Sequence, residues 1–159
     1  MPATSYSFIG EYPVWSAAED ILYWLDLAGR RLHAVRSDGR PLAPVALTAP
    51  VGAIAVRARG GLVAAGPSGF SVLDPRSGRL TPFAPAPWSA GEAANDGKCD
   101  PGGRFWVGTK DLSGGIGAGA LYRLDPGGSC RRMEGGFGNT NGFGWSPDGG
   151  VMYVTETRR

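Results

Sequence analysis

The hydrophobic residues of this chain fall in short runs, and the runs recur. Ile21-Leu22-Tyr23-Trp24, Leu62-Val63-Ala64-Ala65, Phe105-Trp106-Val107 and Val151-Met152-Tyr153-Val154 follow one another at intervals of about 40 to 46 residues, the spacing of propeller blades. No segment carries a 3.6-residue apolar period, so strands rather than helices are expected. An earlier strand precedes each run: Val51-Gly52-Ala53-Ile54-Ala55-Val56 leads to Leu62, and Asn141-Gly142-Phe143-Gly144-Trp145 leads to Val151. A second beat follows within each unit. Leu32-His33-Ala34-Val35 ends at Ser37-Asp38-Gly39, Phe70-Ser71-Val72-Leu73 at Asp74-Pro75-Arg76-Ser77-Gly78, and Leu121-Tyr122-Arg123-Leu124 at Asp125-Pro126-Gly127-Gly128. Turns of this composition close hairpins.

Four short strands per repeat at this period predict an all-β chain built as a partial β-propeller. A β-sandwich with turns every 8–12 residues is the alternative. The propeller is preferred because similar words stand at matching places. Asp100-Pro101-Gly102-Gly103-Arg104-Phe105-Trp106 and Ser146-Pro147-Asp148-Gly149-Gly150-Val151-Met152 are the best example. Units begin near Pro13, Val51, Asn95 and Asn141, and the last holds only two strands. About three and a half blades result, fewer than the 4–8 of a closed ring. Residues 1–159 are read as one incomplete propeller domain with no separate linker or second domain.

Composition narrows the function classes. Glycine and proline number 27 and 13, a share compatible with disorder, but here they punctuate β-branched and aromatic runs as turn chemistry. A net charge of +2, without basic runs interleaved with aromatics, argues against nucleic acid and anionic membranes as partners. No apolar run approaches the roughly 20 residues that span a bilayer. Met1-Pro2-Ala3-Thr4-Ser5-Tyr6 lacks the charged-then-apolar order of a signal peptide. Cys99 and Cys130 match no zinc or redox spacing and read as free thiols of a reducing compartment. A cytoplasmic protein is the expectation.

Polar residues at the starts of inner strands carry the candidate chemistry. Asn95 and Asn141 stand at equivalent places in successive repeats, in Asn95-Asp96-Gly97-Lys98 and Asn141-Gly142. Either reads singly as a turn residue that tolerates left-handed φ. As a pair they converge on one end of a propeller channel, where amide oxygens ligate hard cations and amide groups bind sugar hydroxyls. Glu11, in Gly10-Glu11-Tyr12-Pro13-Val14-Trp15, is either a solvated carboxylate or an oxygen ligand for such an ion. Strand alternation sends Asp96 to the side opposite Asn95, so it is expected to brace a turn.

Other residues carry weaker signals. His33 is the only histidine, which argues against a catalytic triad or a histidine-rich zinc site. Cys99 has no visible base. Gly114-Gly115-Ile116-Gly117-Ala118-Gly119 lacks the ending of a phosphate loop and is expected to be a hairpin loop overhanging the channel. Trp15, Trp24, Trp106 and Trp145 are expected to pack the blades, while Trp88 lies in a proline-rich connector where it lines a pocket or covers an edge.

These words together resemble the senescence marker protein/regucalcin/gluconolactonase family. The resemblance rests on the Glu11 word, on Asn95-Asp96-Gly97-Lys98 through Thr109, on Gly119-Ala120-Leu121-Tyr122-Arg123-Leu124-Asp125 and on Thr140-Asn141-Gly142 through Gly149. It covers almost the whole chain in the family's order. It implies a six-bladed propeller that hydrolyses sugar lactones with one divalent cation in its channel, Ca²⁺ or Zn²⁺ foremost, with Mg²⁺ and Mn²⁺ as alternatives. By the same resemblance Glu11 and Asn141 are metal ligands, and Asn95 holds substrate. Three departures stand out. The family's aspartate, a ligand and base, belongs to a later word beyond Arg159, so no catalytic base is assigned. An arginine that grips substrate is replaced by Ala93, and an aspartate of the fourth blade is matched by Glu156. The chain is therefore expected to be the N-terminal half of a sugar-lactone hydrolase. The alternatives are a catalytically inactive propeller fragment and a module that self-associates through open blade edges.

Overall fold

A computed structural model describes residues 7–158 of the chain. Residues 1–6, read above for a leader pattern, and Arg159 lie outside the described residues. Fourteen strands and no helix occur among those described, so no helix is long and apolar enough to cross a membrane. The strands form successive antiparallel sheets in chain order. The first contains β1 (Gly10–Ser16), β2 (Ile21–Asp26), β3 (Arg31–Arg36) and β4 (Val45–Ala46). The second contains β5 (Ala53–Val56), β6 (Leu62–Gly66), β7 (Gly69–Leu73) and β8 (Leu80–Pro85). The third contains β9 (Glu92–Cys99), β10 (Phe105–Asp111), β11 (Gly119–Leu124) and β12 (Cys130–Phe137). A two-stranded sheet of β13 (Thr140–Trp145) and β14 (Met152–Glu156) follows. These are three blades and the inner half of a fourth, as the repeat predicts.

Blade 2 explains why the runs are apolar throughout rather than alternating. Along β6, Val63 and Ala65 join a core shared with blade 3, while Leu62 and Ala64 join one shared with blade 1. Ala53 and Ala55 divide from Ile54 in the same way along β5. Successive side chains point to opposite faces, and both faces are covered, so neither favours polar residues. The inner strands β1, β5, β9 and β13 pack side by side in that order. Their close approach needs small residues: a Cβ on Gly52 would lie 2.0 Å from the Ala94 carbonyl oxygen. The Asp turns behave as read. Asp100 accepts the Arg104 N–H at 3.0 Å and the Trp106 indole N–H at 2.8 Å, and Asp148 accepts the Gly150 N–H at 3.0 Å.

The tryptophans differ from expectation. Trp88 is the one in the core, edge-on to Phe70 and Tyr122 at 5.4 and 5.7 Å between ring centroids. Trp15 is 47% exposed, on the face of blade 1 turned away from blade 2. Trp106 lies under the Arg123 guanidinium with its N–H on Asp100, and Trp24 donates to Ser7. Each of these strand tryptophans has a polar partner or solvent on one side, which suits an amphipathic ring.

Candidate functional site

Three of the four inner strands are interrupted by a register irregularity, and the candidate residues sit at those points. In β1 the pairing shifts between Glu11 and Val14, in β9 beside Asn95, and in β13 between Asn141 and Phe143. β5, which carries no candidate, pairs without interruption. A bulge bends its strand and re-aims the neighbouring side chain. Two of these are matched in backbone: Tyr12 has φ 58° directly after Glu11, and Gly142 has φ 56° directly after Asn141. Gly10-Glu11-Tyr12 and Thr140-Asn141-Gly142 are therefore the same device at two ends of the arc.

The bulge at Asn95 overturns two expectations. The Asn95-Asp96-Gly97 word lies inside a strand, not on a turn. Asp96 is not sent away from Asn95, because alternation fails where a residue is inserted. Both reach blade 4. The buried Asn95 donates from Nδ2 to the Thr140 carbonyl at 2.9 Å and to Asn141 Oδ1 at 3.1 Å. Asp96 Oδ2 accepts the Gly142 N–H at 2.7 Å, and its Oδ1 accepts the Gly97 N–H at 2.7 Å. Gly97 has no left-handed φ. It is glycine because a Cβ would lie 2.6 Å from the Trp106 carbonyl oxygen.

Asn141 is thus held from three sides. Asn95 meets Asn141 Oδ1, Thr157 Oγ1 accepts Asn141 Nδ2 at 3.1 Å, and Asp96 fixes the next peptide. Glu156 tightens the approach to β13 by accepting the N–H groups of Gly138 at 2.8 Å and Asn139 at 3.0 Å. Its carboxylate holds backbone there. Across the arc, Glu11 is exposed and its side chain makes no hydrogen bond or ion pair among the described residues. Glu11, Asp96 and Gly142 line one open cavity of about 650 Å³, together with Ile54 and Lys98. Burial pushes the Asp96 carboxyl above its ordinary value, opposed by the Gly142 and Gly97 N–H groups and by Lys98. Burial, aided by Glu11 and Asp96, also raises the Tyr12 hydroxyl.

The donor chemistry fits a hard cation. Glu11 offers two carboxylate oxygens and Asn141 an amide oxygen with a lone pair left over, and oxygen donors suit Ca²⁺ or Mg²⁺. Lys98 and Cys99 line the same cavity as Glu11, but an ammonium has no lone pair to give and a buried thiol is held protonated. Among the described residues, no group of three or more His, Cys, Asp and Glu side chains is gathered as a metal cluster. Of the weaker candidates, His33 is buried and stacked on Trp24 at 5.2 Å. Burial, with Asp100 adding to it, pushes the Cys99 thiol up to about 11, away from the thiolate a nucleophile needs. The glycine-rich loop is pinned by Asp111, whose carboxylate accepts the N–H groups of Ser113 and Ala118. Because Asp111 pairs with Glu92 at the start of β9, the loop stands at the candidate end of the inner strands.

Tyr12, Thr157 and the Asp96–Gly142 bond were not singled out in the sequence. Aligning Gly10-Glu11-Tyr12 on Thr140-Asn141-Gly142 would have marked Tyr12 as standing where glycine is expected.

Comparison with known proteins places this geometry. The family model described as the SMP-30/Gluconolactonase/LRE-like region matches residues 9–159. A 6-deoxy-6-sulfogluconolactonase of Pseudomonas putida is 35% identical over 156 residues, covering 95% of this chain and 52% of the relative. A regucalcin of Danio rerio is 30% identical over 151 residues, covering 94% and 51%. The crystal structure of a calcium-binding regucalcin from Agrobacterium tumefaciens superposes with a TM-score of 0.85 at 27% identity, covering 96% of this chain and 52% of that one. A gluconolactonase structure from Xanthomonas campestris gives 0.76 at 26% identity, covering 95% and 55%. The chain spans about half the length of these relatives.

Proposed function

The chain belongs to the SMP-30/gluconolactonase/LRE-like family, and from that membership we propose that it carries the N-terminal part of a cation-dependent sugar-lactone hydrolase site. The observation that carries this reading is the matched pair of kinked strands, Glu11–Tyr12 and Asn141–Gly142, with φ 58° and 56°. Both kinks follow an oxygen donor. Glu11 and Asn141 would hold the cation through oxygen atoms, which favours Ca²⁺, with Zn²⁺, Mg²⁺ or Mn²⁺ as competitors.

A bound divalent cation supplies Lewis-acid polarisation of an ester carbonyl and a more acidic water. The protein's own groups do the positioning. Asn95 spends its Nδ2 on Thr140 and Asn141, which leaves its Oδ1 to accept a sugar hydroxyl. Asp96 and Glu156 hold the backbone on either side of Asn141. No group here is assigned as the base that takes the proton from water, a function worth about 10²–10⁴-fold in rate.

Hydrolysis of glucono-1,5-lactone by the purified chain, with a divalent cation and with a chelator, tests the reading. Turnover that needs the cation and falls by about 10²-fold or more in Asn141→Ala is the expected result. Turnover that is indifferent to chelation would sink it.

A further inference from the structure

Beside the candidate site lies a second cavity, of about 210 Å³, at the same end of the inner strands. Tyr12 lines both cavities, and Ala94, the neighbour of Asn95, lines this one. Its walls are otherwise apolar except for Asp26, Arg30 and Lys110. Lys110 projects from β10 directly across from Ala93, two residues from Asn95 and so roughly 7 Å away along the strand. Arg30, exposed in the turn between β2 and β3, lines the same cavity.

Among the described residues neither cation is in an ion pair with a carboxylate. The three ion pairs of the described residues join Arg40 to Asp38, Arg104 to Asp100 and Arg123 to Asp125, and none involves Arg30 or Lys110. Asp26 lines the same cavity and is held ionised by backbone N–H groups, so the lining sets two cations against one carboxylate. Its Oδ1 accepts the N–H groups of Gly29 at 3.1 Å and Ile9 at 3.3 Å. Lys110 is half-buried in this setting. A cation withdrawn from water without a partner is costly, and apolar walls strengthen its attraction for an incoming anion.

We propose that this cavity takes the anionic tail of an acidic sugar lactone, a phosphate or sulfonate oxyanion borne away from the lactone carbonyl. Lys110 and Arg30 act as specificity residues that grip the tail while Asn95 holds the ring. The assignment rests on the lactonase reading for the ring's identity, but the anion pocket has a readout of its own.

That readout is binding of sugars that contain no ester to hydrolyse. Calorimetry would compare glucose, glucose 6-phosphate and 6-deoxy-6-sulfoglucose on the full chain, on Lys110→Gln and on Arg30→Gln. The expected result is binding of an anionic sugar at least about tenfold tighter than glucose, as for one charge-assisted hydrogen bond. That preference should disappear in both variants while glucose binding stays unchanged, and it should shrink as salt screens the charges. The tighter of the two anionic sugars identifies the tail. Equal binding of the three sugars, absence of binding by both anionic sugars, or a preference that survives both substitutions would overturn the proposal. These results do not depend on whether any lactone is turned over, so failure of the pocket and failure of the hydrolase reading are separable. Arg30 sits in an exposed turn, so its variant tests the pocket even where Lys110→Gln impairs folding.

Discussion

Tyr12 and Gly142 share a left-handed backbone conformation, yet only one of them is a glycine. For a tyrosine that conformation costs roughly 1–2 kcal/mol. The cost is offset by burial of the Tyr12 side chain in the core between blades 1 and 2. Asn95 makes a second single-residue argument. Its Nδ2 faces two acceptors, the Thr140 carbonyl and Asn141 Oδ1, so Asn95→Asp would set a carboxylate against both. A loss of about 1–3 kcal/mol in urea unfolding is expected; an unchanged midpoint would mean that the bridge is not made. His33 ties a residue to pH. Burial lowers its pKa below the ordinary 6.5, with Arg31 adding to this and Asp26 opposing it. Below pH 6.5 the unfolded chain therefore binds the proton more readily than the folded one, and stability falls as pH falls through that window. In His33→Phe, the loss of thermal stability between pH 7 and pH 5 should be smaller than in the parent. An equal loss would contradict the assignment.

At the scale of strands, the legible elements were those with one or both faces buried. Ile21–Asp26, Leu62–Gly66 and Phe105–Asp111 carry the buried residues that make an apolar run. The outer strands Leu80–Pro85 and Cys130–Phe137 are largely exposed, and their sequences show no period to read. Leu80–Pro85 even contains Pro82, which an edge strand tolerates. The bulges were illegible for a different reason. Asn95-Asp96-Gly97 has the composition of a turn, and only the partner strand reveals the extra residue. Gly52 gives the contact between inner strands a direct test. Gly52→Ala would drive a methyl against the Ala94 carbonyl, 2.0 Å away in backbone that cannot rotate aside. A cost of about 1–3 kcal/mol or more is expected from overpacking. Gly127→Ala, with open space around its Cβ, should be close to neutral in the same denaturation series.

At the scale of the molecule, the repeat period was enough to place four inner strands side by side, and that arrangement gathers the site. Glu11 and Asn141 lie 130 positions apart in the chain, yet Glu11 and Gly142 line one cavity because inner strands converge. Position within the repeat marked both residues in the sequence, Glu11 just before the hydrophobic run of the first inner strand and Asn141 at the start of the last. The supports of Asn141 were legible only in part: Glu156 and Asp96 stood out in the sequence, but Thr157 did not, and no spacing announces the hydrogen bonds that all three make. The cavity between Arg30 and Lys110 escaped likewise, since the two residues line one space only once blades 1 and 3 are set around blade 2. The claim that most needs testing is that the two kinked strands serve one cation. Calorimetric titration of Ca²⁺ into the purified chain, Glu11→Gln and Asn141→Ala tests it most directly. Binding to a single site that weakens at least about tenfold with either substitution is expected. Affinity unchanged in both variants, or no binding to the parent chain, would contradict it.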